Sequence, residues 1–242
     1  MNAGRGTTIT MGDPPSRAAR KPFYFNTSAH LLRIGRERAT TLSELLQALR
    51  TCPEDCIFQH TFRTLQEHHF IREGFSNDFA HWVLSACQEP GLAERLAGVD
   101  VREFTSIGAV RERIVQVVNA YIRHNPQSGD RTAREPFHFY AADTVILPTP
   151  FVAHSQSEFL DGLSRVSVHS IHHHFIEARL RLQLTSNDFS LWLQDEADLE
   201  EAARRLNHID IYTSTLEEVR RQIIRIVENA MAQGTEGQDG GQ

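Results

Sequence analysis

Much of this chain is written twice. Pro22-Phe23-Tyr24-Phe25 returns 114 residues later as Pro136-Phe137-His138-Phe139, and the same offset carries Glu44-Leu45-Leu46 onto Glu158-Phe159-Leu160, Ile57 onto Ile171 and His60 onto His174. Further on the offset falls to 110. Ser76-Asn77-Asp78-Phe79 then meets Ser186-Asn187-Asp188-Phe189, and the chain's two tryptophans, Trp82 and Trp192, coincide. Leu96-Ala97-Gly98-Val99-Asp100 meets Leu206-Asn207-His208-Ile209-Asp210, and after one more single-residue slip Ile114-Val115 meets Ile223-Ile224. Self-similarity of this kind restricts the fold to two related units. Both slips fall between segments of helical pattern, where connecting loops absorb changes of length.

The repeat sets the expected organisation. Residues 22–124 and 136–232 read as the two copies, and Asn125-Pro126-Gln127-Ser128-Gly129-Asp130 opens a linker over 125–135. Residues 1–21, rich in Gly, Thr and Pro, and the Gly/Gln-rich 233–242 read as disordered. Within a copy, Phe23-Tyr24-Phe25 or Phe137-His138-Phe139 suggests a short strand or extended arm, followed by helices. Leu42, Leu45, Leu46 and Leu49 form one helical face, and Thr41 with Glu44 three residues later makes a capping box. Ile171, His174, Phe175, Ala178 and Leu182 mark a second helix. Asn77 and Asn187 stand where a side chain can cap a third. A short fourth and a longer fifth helix complete a mainly α domain of about five helices, present as a tandem duplication whose two repeats are expected to pair within the chain.

Composition narrows the function classes. With 31 acidic residues against 25 basic, the formal charge of −6 offers no general attraction to a nucleic-acid backbone or an anionic membrane. No stretch approaches the roughly 18 apolar residues that span a bilayer, and no secretory signal opens the chain, so the expected location is cytoplasmic. Cys52, Cys56 and Cys87 are an odd set without a disulfide framework.

His60 and His174 are the leading candidate residues, because the same imidazole stands at the same place in both copies. Such a ring can bind a ligand or move a proton, and it can equally be a core histidine bonded to a carbonyl or carboxylate. The neighbouring His172 and His173 cannot join His174 on one ion, because consecutive helical residues point about 100° apart. The first copy adds His68 and His69. His173 lies off the apolar stripe and is expected to be solvated. Cys52, Cys56 and His60 have zinc-like spacing, but Val166, Ser170 and His174 replace them in the second copy, so no metal or cofactor is expected. Asp78 and Asp188 sit where a carboxylate complements a helix N-terminus. Arg179 and Arg181 are candidates for binding an anionic ligand, although Glu177 and Arg181 also have the spacing of an i,i+4 pair.

The pairing of the run from Ile171 to Leu182 with Ser186-Asn187-Asp188-Phe189-Ser190-Leu191-Trp192 resembles an uncharacterised bacterial family of unknown function, over about residues 22–230. Its most specific part is His174-Phe175-Ile176-Glu177-Ala178-Arg179-Leu180-Arg181. The resemblance implies no activity. Genes and fusions of that family sometimes accompany glycosyltransferases, which implies a setting in sugar metabolism. No phosphate loop, Cys-x-x-Cys pair, nucleophile elbow or His-Glu-x-x-His motif is present. The reading is therefore a non-catalytic binding or regulatory module for a protein or small anionic ligand. The rival is a hydrolase or transferase acting on a sugar or phosphate, with a histidine as acid or base.

Overall fold

The computed structural model describes residues 18–63, 77–181 and 184–239; His68, His69 and Leu182 lie outside them. Its order is β1 (Ala18–Ala39), α1 (Leu42–Thr51), α2 (Glu54–Phe58) running into a π-helical turn (Gln59–Arg63), α3 (Asp78–Ser85), α4 (Pro90–Ala97), α5 (Ile107–His124) and the short α6 (Pro126–Gly129). There follow β2 (Phe137–Ser155), α7 (Gln156–Arg165), α8 (Val168–His172), a second π turn (His173–Glu177), α9 (Ala178–Arg181), α10 (Asp188–Asp195), α11 (Glu200–Leu206) and α12 (Leu216–Asp239).

The expected mainly α class is corrected by the first and eighth of these elements. In place of a short arm, each half opens with a strand of 22 or 19 residues, and the two pair as one antiparallel ribbon, so the protein is mixed α/β. The strand begins at Ala18, inside the segment read as disordered, and the last helix continues to Asp239, past the expected tail boundary.

The ribbon's register is symmetric. Its continuous part runs from Asn26↔Pro148 to Ile34↔Tyr140, and irregularities flank it between Tyr24 and Asn26 and between Ile34 and Arg38. Adding or subtracting 114 turns each of these pairs into another of them. His30↔Thr144 turns into itself, so the approximate twofold axis passes through that pair.

The ribbon also exchanges the two arms. Phe23 and Phe25 of β1 pack against Phe159, His174, Phe189 and Trp192 of the second half. Phe137 and Phe139 of β2 pack against His60, Phe79 and Trp82 of the first. The indole N–H of Trp82 donates to the Glu135 carbonyl and that of Trp192 to Lys21, each at 2.8 Å, so both buried rings satisfy their one donor on the arm they cover. Gly162 is needed where it stands: a Cβ there would come within 2.3 Å of the Phe25 ring.

Local chemistry explains the helix starts. Thr41 accepts from Glu44 N–H while Glu44 accepts from Thr40 N–H, and Ser155, Glu158 and His154 repeat the arrangement. Asn77 and Asn187 accept from Ala80 and Ser190 N–H, both at 2.9 Å.

Candidate functional site

The two matched histidines have nearly identical surroundings. His60 Nδ1 lies 2.8 Å from Asp78 Oδ2 and its Nε2 accepts the Tyr140 backbone N–H at 3.0 Å. For His174 the partners are Asp188 Oδ2 at 2.6 Å and the Asn26 N–H at 2.8 Å. An Nε2 that accepts leaves the proton on Nδ1, so each ring donates to its aspartate as a defined tautomer. Both side chains are 1% exposed. Burial, opposed by Asp188, holds the His174 pKa below the ordinary imidazole range. Each ring thereby seals a backbone N–H on the outer edge of the arm contributed by the other half, where a third strand would otherwise be needed. Neither has a nitrogen left for a substrate. Asp78 and Asp188 are thus partners of these imidazoles as well as occupants of a helix start, a pairing that their joint repetition at both sites makes readable.

A second cluster occurs in one half only. Glu177 is fully buried beneath the ribbon. His173 Nδ1 donates to its Oε2 at 3.1 Å, and His30 Nε2 lies 2.8 Å from its Oε1, too oblique for a full hydrogen bond. His30 Nδ1 meets Thr144 Oγ1 at 3.0 Å, so the residue on the twofold axis joins the ribbon to this core. His172 faces Glu177 Oε1 at 3.6 Å and the Phe62 backbone, with neither ring nitrogen in good hydrogen-bonding geometry. Burial raises the Glu177 pKa, but His173, His30 and His172 outweigh it and hold the carboxyl well below its usual range. Burial pushes His172 down to about 4.

The matching positions in the first half are Phe58, Gln59 and Arg63, so this cluster departs from the repeat. One expectation is corrected here: His173 is buried, not solvated, and it meets the inward-turned Glu177. The Arg181 side chain lies outside the described residues. His30 went unrecognised because its partner Glu177 is remote in sequence.

Arg179 takes a different position. It lines a cleft of about 420 Å³ with Thr185, Asn187, Asn207 and His208 on the polar side and Phe175, Ile209 and Ile211 on the apolar side. Its Nε is buried without a hydrogen-bond partner, and burial lowers its pKa, with Asp100 opposing. At the matching positions the first half has Leu65, Ala97 and Gly98 for Arg179, Asn207 and His208. Arg179, Asn207 and His208 therefore have no polar counterparts in the sequence of the first half.

Cys52 and Cys56 are buried free thiols whose mutual contact lowers the first pKa and raises the second, and they line a small cavity with Tyr140, whose backbone N–H His60 accepts. Among the described residues no three or more His, Cys, Asp or Glu side chains are arranged to hold a metal ion, and no helix is long and apolar enough to cross a membrane.

Fold and site together define an α/β protein of two helical halves, locked by exchanged arms and by imidazoles that serve the backbone. The chain belongs to a family of unknown function, DUF5752, which matches residues 20–228. It is similar to the solved structure of OrfY from Thermoproteus tenax, with 28% identity and a TM-score of 0.79 over 88% of this chain and 97% of that one. No curated protein matches it.

Proposed function

We propose that the protein is a non-catalytic binding or regulatory module that takes a small anionic ligand in the Arg179 cleft, as an accessory to sugar metabolism. The observation that carries this reading is the Arg179 guanidinium, partly buried with an unpartnered Nε beside amide side chains and an apolar wall. A guanidinium suits phosphate or carboxylate, and flanking amides suit hydroxyl groups. The engaged nitrogens of His60 and His174 favour binding over a histidine acid or base. The resemblance to a family found beside glycosyltransferases makes phosphorylated sugars the first class to test.

Calorimetric titration with inorganic phosphate, hexose phosphates and the unphosphorylated hexoses tests the reading. A hexose phosphate is expected to bind, the free hexose much more weakly, and Arg179→Leu to weaken binding at least about tenfold, the usual scale for a lost charge-assisted contact. That variant installs the residue of the matching first-half position and should fold as wild type does. Equal binding by Arg179→Leu, or no anion binding at millimolar concentration, would reject the cleft as the site.

A further inference from the structure

Cys52 and Cys56 stand where the second half has the buried Val166 and Ser170, so the packing of this fold does not require thiols there. Ser170 shows what the second position otherwise does: its hydroxyl donates to the Asn26 carbonyl of the exchanged arm at 2.6 Å. Cys56 turns its thiol to Cys52 instead. The pair straddles a helix junction, with Cys52 in extended backbone just past α1 and Cys56 in the first turn of α2, its N–H on the Pro53 carbonyl at 3.0 Å. Thiols four positions apart therefore meet.

Both thiols line a cavity of about 280 Å³ that reaches the surface. Ile34, Glu37 and Pro53, all exposed, form its rim, where the ribbon loses register between Ile34 and Arg38. A water molecule takes roughly 30 Å³, so a small hydroperoxide has room to reach the sulfurs. The Arg111 guanidinium donates to the Cys52 carbonyl at 2.8 Å and brings its charge to the same place. Donation from Cys56, with that charge, outweighs burial and Glu37 and favours the Cys52 thiolate, while the proton is held on Cys56. When protonated, Cys52 has among the described residues only a weak acceptor, the Leu49 carbonyl at 3.8 Å.

We propose that Cys52 and Cys56 are a redox-active dithiol that a hydroperoxide, entering by this cavity, converts to a disulfide. The Cys52 sulfur attacks the outer peroxide oxygen, the O–O bond breaks, and the alkoxide takes a proton to leave as alcohol, with Cys52 now a sulfenic acid. The Cys56 sulfur then attacks Cys52 Sγ, the S–S bond forms as the S–O bond breaks, and the hydroxide leaves with the Cys56 proton as water. Two thiols are oxidised by two electrons and one hydroperoxide is reduced to alcohol and water. An external dithiol reverses the change by exchange. The proposal is independent of the Arg179 cleft.

The full chain, treated with a few equivalents of hydrogen peroxide or tert-butyl hydroperoxide, alkylated and digested with trypsin, tests it. Peptide 51–63 should lose two hydrogens and escape alkylation, and dithiothreitol should restore both thiols. Cys87, whose thiol burial pushes up to about 12, is the control and should react at least about tenfold more slowly. Cys56→Ser should stop the reaction at a Cys52 sulfenic acid that dimedone traps, and Cys52→Val should leave Cys56 unoxidised. Both variants install the residues of the matching second-half positions and should keep the circular dichroism spectrum of wild type. No disulfide in peptide 51–63 overturns the proposal, as does oxidation of Cys87 at an equal rate. Oxidation of Cys56 at the wild-type rate in Cys52→Val overturns it too.

Discussion

Glu177→Ala should lower the free energy of unfolding by about 3–5 kcal/mol, the usual consequence of removing one member of a buried charged or hydrogen-bonded set. Glu177 accepts from His173 and faces His30 and His172 in a site closed to water, so its loss leaves His173 without its acceptor, removes the carboxylate that the other two imidazoles face and opens a cavity beneath the ribbon. Glu177→Gln keeps the volume and one acceptor oxygen and should lose clearly less. Chemical denaturation of both variants beside wild type gives the comparison. A loss below about 1 kcal/mol for Glu177→Ala would mean that the histidines find other partners, and the cluster would no longer count as the link between ribbon and core.

The second large effect is in the pH dependence of stability. With His172 held down to about 4 in the folded chain and near 6.5 when unfolded, the unfolded chain binds a proton that the folded chain refuses between those values. This contribution is fully present above about pH 6.5 and is lost as pH falls toward 4, by about 3 kcal/mol in all at 1.36 kcal/mol per unit. His174, also depressed, acts with the same sign. Glu177 adds a separate loss at lower pH: a lowered carboxyl stabilises above its unfolded pKa and ceases to do so as pH drops through its folded one. His172→Phe installs the residue of the matching first-half position, Phe58. It should flatten the curve between pH 6.5 and 4 by most of those 3 kcal/mol while changing stability at pH 7 by less than about 1 kcal/mol, since the ring nitrogens it removes are poorly bonded. Urea melts of both proteins across that range would show it, and parallel curves would locate the acid sensitivity elsewhere.

What could be read from the sequence was local. The caps at Thr41, Asn77 and Asn187 and the apolar face of Leu42, Leu45, Leu46 and Leu49 depend on residues a few positions apart, and they stand in the structure as the spacing implies. The imidazole–carboxylate option for His60 and His174 was visible as well, although the aspartates were assigned only to the helix ends. The ribbon was not legible, because exposed apolar residues stand at consecutive positions in its centre, Leu31-Leu32 and Val145-Ile146-Leu147, whereas a half-buried strand is recognised by alternation. The exchange of arms could not be read for a different reason. Phe23 and Phe137 are equivalent, so a pocket filled by its own half's phenylalanine and one filled by the other's present the same residue types. The Arg179 cleft was half visible: the arginine drew notice, but Asn207 and His208 reach it only through the fold.

The exchanged arms also set an order of events during synthesis. The helices of the first half leave the ribosome with their aromatic pocket empty, because Phe137 and Phe139, and the Tyr140 amide that His60 accepts, are made more than seventy residues after that histidine. The β1 arm must wait longer still, until Trp192 has emerged to cover it. Closing contacts over such separations is slow compared with forming a helix. The nascent first half therefore holds an exposed apolar cleft and an unpaired strand while the second is being translated, and chaperone demand should peak in that interval.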